Sequence, residues 1–92
     1  MSGGFIGMDP DLVEGVAHQL KGKAAEISGL ISGIDSLVNQ LEAHWKGQDA
    51  IQFQGWWQQQ HRPALNHLHD AIEGLGQSAL NNAAEQRQAA SH

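Results

Sequence analysis

VEGVAHQLKGKAAEISGLISGIDSLVNQLEAHWKG, running from Val13 to Gly47, carries two apolar columns that each recur every seven residues. Val13, Leu20, Ile27, Ile34 and Leu41 form one, and Ala17, Ala24, Ile31, Val38 and Trp45 form the other. Two such columns lie on one face of a helix and make a coiled-coil seam. Upstream, Asp9 offers a side-chain oxygen to the orphan N–H groups of a helix start, and Pro10 suits the first helical position, where no N–H is needed. The seam stops at Trp45, and Gly47 follows, a residue able to take the left-handed backbone that closes a helix. Glu42 and Lys46 stand four apart in the favourable order, with Lys46 near the negative end of the helix dipole. The first helix is therefore expected over about 10–45 and a turn over 46–49.

A second start follows at once, because Asp49 with Gln52 three residues on has the spacing of a capping box. The second helix is expected over about 50–84, with Trp57, Leu68 and Leu75 continuing the seam from its side. Pro63 cannot donate to the carbonyl of Gln59 and its ring crowds the preceding turn, which predicts a kink near 61–63. A connection this short makes the two helices antiparallel, each about 50 Å long by the helical rise. Residues 85–92 lose their large apolar residues and the first eight lack the helical pattern, so both ends are expected to be frayed or mobile. The expected fold class is all-α: one domain spanning 1–92, folded as an antiparallel two-helix hairpin.

Val16, Leu30 and Leu37, with Leu12, lie beside the first-arm seam rather than in it. Phe53, Trp56 and Leu80 cannot all face the first helix together with Trp57, Leu68 and Leu75. Burying such a side chain contributes roughly 1.5–3 kcal/mol, while ordering each backbone residue costs about 1–2 kcal/mol, so a lone thin hairpin is marginal. A second hairpin laid over these residues would make a dimeric four-helix bundle. Gly15, Gly22 and Gly29 also recur every seven residues, opposite the seam; they read either as a solvent-facing strip of weak helix formers or as a groove for close approach of another helix.

Composition narrows the function. A formal charge of -5 with five Lys and Arg supplies no basic stripe, so no nucleic-acid partner is expected. The longest weakly polar stretch, Ile27 to Val38, is interrupted by Asp35 and falls short of the roughly twenty apolar residues of a spanning helix, so no stable membrane anchoring is expected. The amino terminus lacks the charge and apolar run of a cleaved signal. With no cysteine, neither a disulfide frame nor a thiolate site is available. No histidine has another four residues away, and His61 reads as a structural residue of the apolar stripe, so no metal is expected. Asp9, Asp11 and Glu14 read as favourable charges at a helix start rather than catalytic carboxylates. No nucleophile elbow or phosphate-cradling glycine loop is present, and a hairpin offers no enclosed pocket; no catalytic residue or cofactor is expected.

A cysteine-free chain near one hundred residues, with two equal helices and Trp45-Lys46-Gly47 at the turn between them, resembles the WXG family of ESAT-type proteins. The resemblance covers nearly the whole chain, and Asp49-Ala50 and the stretch from Phe53 to Trp57 also look like actinobacterial members. It implies a homodimer or heterodimer with another WXG-type hairpin, exported folded through a type VII secretion system after recognition by its membrane-anchored ATPase. The protein would be cytoplasmic before export and then extracellular or at the cell surface, without a cleaved signal. Trp45 and Gly47 carry over as the family motif. The family's export signal, Tyr-x-x-x-Asp or Glu, lacks its aromatic here: Glu85 could fill the acidic position, but Asn81 stands where the tyrosine would be. Two other functional readings are a membrane-disrupting effector, suggested by the Gly29 and Gly33 pair in the apolar stretch, and an intracellular coiled-coil scaffold.

Overall fold

A computed structural model describes residues 9–90. The expectations for the first eight residues and for Ser91 and His92 lie outside them. The described residues are helical apart from the entry to α1 and the turn: α1 spans Pro10–His44, α2 Gln48–Trp56 and α3 Arg62–Ala90, with a π-helical turn, Trp57–His61, between the last two. The fold is an all-α helical hairpin.

Asp9 opens α1, its Oδ1 accepting from the N–H of Asp11 at 3.1 Å and of Leu12 at 3.4 Å. At the other end the N–H of Trp45 donates to the Leu41 carbonyl, and the Lys46 ammonium donates to the carbonyl of Glu42 at 2.7 Å. The lysine thus meets a backbone oxygen left over at the helix end, not the Glu42 carboxylate. The chain reverses at Gly47, whose φ of 113° lies where side chains are strongly disfavoured.

Gly47 is also the N-cap of α2, which begins at Gln48 and has no side-chain cap. This corrects the expected capping box: Asp49 is already in the first turn, where its charge meets the positive end of the helix, and is not the cap. The second arm also runs on to Ala90, beyond the expected end at 84, so residues 85–90 are helix rather than tail.

The chain divides into two compact units, one made of the residues up to Lys23 with those from Ala71 onward, the other of Ala24–Asp70. In the first, the core is made of small residues, Ala17 and Ala83, with Gly76 buried beside them. A Cβ at Gly76 would lie 2.9 Å from Lys21 Cγ and 3.0 Å from the Ala17 carbonyl oxygen, so the helices meet there at backbone distance. Charged pairs flank this contact. Lys21 Nζ bonds Glu73 Oε1 at 2.6 Å, and the Arg87 guanidinium bridges Asp11 at 2.6 Å and Glu14 at 3.0 Å. Both acids hold the Arg87 pKa above its ordinary value, Asp11 most.

The second unit has a bulkier core. Ile31, Val38 and Trp57 are buried together, with Ile27, Ile34, Phe53 and Leu65 packed against them. The rings of Trp45 and Phe53 tilt against each other with centroids 5.6 Å apart. Phe53 was expected on the outer surface; it turns inward here because Trp45, closing the first-arm seam, gives its ring a partner.

The π-turn decides the phase of everything after it. Upstream, the buried positions Ala50 and Trp57 are a heptad apart. Downstream, the inward column is Arg62, His69, Gly76 and Ala83, flanked by Leu65, Ile72 and Ala79. From Trp57 these lie one residue later than an unbroken heptad would put them. The π-turn absorbs that residue: Arg62 N–H reaches the Trp57 carbonyl, five residues back. One extra residue turns the downstream helix by about 100°. Leu68 and Leu75, expected in the seam, are therefore carried outward, to 47% and 60% exposure. Leu41, the last residue of its seam column, is also exposed, since the turn leaves little beyond it to cover that side.

Candidate functional site

The residues that could meet a partner fall into two groups, the turn and the outer apolar surface. At the turn, Trp45 is partly exposed, its ring against Phe53. A shallow groove of about 200 Å³ is lined by Glu42, Trp45, Lys46, Gly47, Ala50, Ile51 and Gln54. Ile51 there is among the most exposed large apolar residues, and the sequence reading missed it; its off-seam position in the first turn of α2 was the available signal.

On α1, Leu12, Val16, Leu30 and Leu37 all face outward, Leu12 and Leu30 with more than 60% of their surface exposed. On the second arm Trp56 faces outward beside the inward-facing Trp57, and Leu68 and Leu75 join the outer set through the π-turn. Ala64 and Ala71 are exposed too, so Ala64 and Leu68 in one unit, and Ala71 and Leu75 in the other, are outward pairs four residues apart. That spacing is what a neighbouring helix packs into.

In the unit that holds the turn lies an apolar groove of about 250 Å³ lined by Ile34, Val38, Phe53, Trp56, Trp57 and His61. A polar cluster fixes its inner wall. The Trp57 indole N–H donates to Asp35 Oδ1 at 2.7 Å, and Arg62 Nε donates to Asp35 Oδ2 at 3.0 Å. The Trp57 hydrogen bond, helped by Arg62 and opposed by partial burial, holds the Asp35 carboxyl below its usual pKa. Asp35 was read from the sequence only as an interruption of an apolar stretch; its partners lie over twenty residues away, and no local pattern links them.

Glu85 and Asn81 are both exposed on α3, one turn apart, and Asn81 accepts a hydrogen bond from Gln77. Among the described residues, no group of three or more His, Cys, Asp or Glu could hold a metal ion, and no helix is long and apolar enough to cross a membrane.

Comparison with known proteins gives a consistent picture. The crystal structure of EsxA from Geobacillus thermodenitrificans matches with a TM-score of 0.82 over 98% of this chain and 96% of that one, at 23% sequence identity. At that identity the likeness establishes the fold. No curated protein matches the chain. The family model WXG100, described as proteins of 100 residues with WXG, matches residues 6–90, which include Trp45-Lys46-Gly47 at the turn. On that match the chain belongs to the WXG100 family.

Proposed function

We propose that this protein is a substrate of a type VII secretion system, exported as a folded pair of helical hairpins and acting outside the cytoplasm by binding proteins rather than by catalysis. Family membership supports the export route. The observation that carries the binding role is the outward apolar surface, with Leu12, Leu30, Leu37, Trp56, Leu68 and Leu75 all left exposed by the intramolecular packing. Large apolar side chains aligned at helical spacing are a surface built for another helix, since water gains nothing from them.

In this reading the partner is a second WXG-type hairpin, and the pair forms a four-helix bundle. Trp45 and Gly47 shape the tip, and the exposed face of α3 around Glu85 is offered to the membrane-anchored ATPase. Because Asn81 replaces the aromatic of the usual signal, the partner subunit's own tail supplies the rest of the recognition, either as a second copy or as a different chain.

Export is tested in the native host by comparing culture medium from the wild type with that from a strain lacking the secretion ATPase. The protein is expected in the first and not the second. Equal amounts in both, with no lysis marker released, would remove the secretion reading while leaving the binding surface intact.

A further inference from the structure

The two residues that bracket the π-turn hold the same carboxylate. Trp57 opens the turn, Arg62 follows its last residue, and both reach across to α1. Asp35 Oδ1 accepts from the Trp57 indole N–H at 2.7 Å, and Oδ2 accepts from Arg62 Nε at 3.0 Å. In a regular α-helix, residues five apart stand about 140° apart round the axis and do not face one carboxylate together. With one residue absorbed by the wider turn they stand about 40° apart, as residues four apart do. The clamp on Asp35 and the π-turn therefore require each other.

The segment that follows, residues 62–70, carries side chains suited to two phases. In the phase observed, Arg62, Leu65 and His69 are partly buried while Ala64 and Leu68 are exposed. A regular helix continued from Trp57 would instead turn Ala64 and Leu68 inward, set Leu65 to the side and carry Arg62 and His69 away. Apolar burial alone does not favour the phase observed, which covers one leucine and two polar side chains where the other covers a leucine and an alanine. What it has in addition is the Arg62 guanidinium on Asp35. It also has the wider turn ahead of Pro63, where a regular helix would press the proline ring on the Gln59 carbonyl.

We propose that Asp35 selects the phase of residues 62–70. With its carboxylate on Trp57 and Arg62, the segment presents Ala64 and Leu68 outward; without that hold it moves to the regular phase and presents Leu65 and Arg62 instead. Two packings of one segment that differ by a single residue, each with its own apolar side, make a two-state element. Asp35 is a positioning residue in it, acting through Trp57 and Arg62. A group that draws Arg62 off Asp35 would exchange the outward face of this segment without unfolding the hairpin.

The chain has no cysteine, so a single one can report on one position. Full-length proteins carrying Ala64→Cys or Leu65→Cys are labelled with a small thiol reagent at matched concentration, and the two rates are compared. Cysteine at 64 is expected to react faster than at 65. Pro63→Ala, which removes the other influence on the turn, is expected to leave that order in place. Asp35→Ala added to Pro63→Ala is expected to lower the ratio of the two rates at least about tenfold, with 65 gaining and 64 losing. Arg62→Gln in the same background is expected to do the same, which keeps the test open should either variant fold poorly by circular dichroism. With Gln59 deleted in addition, no residue is left over to absorb, and Asp35→Ala is expected to leave the ratio unchanged.

Loss of stability alone would quicken both positions together and keep their ratio, and that result overturns the proposal. Reversal by Pro63→Ala alone overturns it too, because the proline and not the carboxylate would then set the phase.

Discussion

A methyl group added at Gly76 would press on the Ala17 carbonyl at 3.0 Å, whereas one added at Gly29 meets nothing within 4 Å. Alanine gains about 1 kcal/mol over glycine in either helix from the stiffer unfolded chain. At Gly76 the crowding of a backbone oxygen, costing about 1–3 kcal/mol, outweighs that gain. Gly76→Ala is therefore expected to lower the melting temperature and Gly29→Ala to raise it, each by about 4–8 °C for a net 1 kcal/mol in a chain of this size. Paired thermal melts by circular dichroism decide the matter. Asp35 makes a prediction of a different kind. Its pKa is lowered in the folded chain, so the contact with Trp57 and Arg62 stabilises above the unfolded carboxyl's pKa, about 4, and is lost as pH falls through the lower folded value. Asp35→Asn should melt below wild type at pH 7, and the two should converge as the pH is taken below about 4. A gap that stays constant as the pH is lowered into the acid range would show that the carboxylate's charge is not what matters.

Elements differ in how far their sequences disclose them. The first arm was legible because its two apolar columns never miss a step from Val13 to Trp45, and Gly47 is where φ becomes positive. The second arm was legible in extent but not in phase. Trp57, Leu68 and Leu75 are compatible with one regular helix face, and nothing in Gln58-Gln59-Gln60 marks an inserted residue. Pro63 announced a disturbance without saying that it would take the form of a wider turn, one that tolerates the missing N–H and also rotates all that follows. Outer residues were legible on α1 and partly inverted on α3 for that one reason. If the π-turn holds a single surplus residue, deleting Gln59 together with Pro63→Ala should give an unbroken helix with Trp57, Leu65 and Ile72 still facing inward. That variant is expected to melt at or above the wild-type temperature. Adding a glutamine after Gln59 leaves a second residue to absorb and is expected to melt well below it. Equal damage from deletion and addition would mean the π-turn is not a phase adapter.

At the scale of the molecule the two units are held by different forces. The unit containing the chain ends has a core of alanines and glycine framed by Lys21–Glu73 and the Arg87 bridge to Asp11 and Glu14. The unit containing the turn has Ile31, Val38 and Trp57. Salt at 1 M shortens the screening length to about 3 Å and weakens exposed ion pairs, while leaving apolar burial intact. Hydrogen exchange at high salt is thus expected to quicken at residues 71–89 and to change little at residues 27–41 and 50–65. Uniform change along the chain would contradict that division. The same arrangement gives the hairpin a direction of easy opening. A force applied at the carboxyl end meets Arg87 first, then an alanine contact, and only afterwards the tryptophan and isoleucine packing, so resistance rises as the second arm is peeled away.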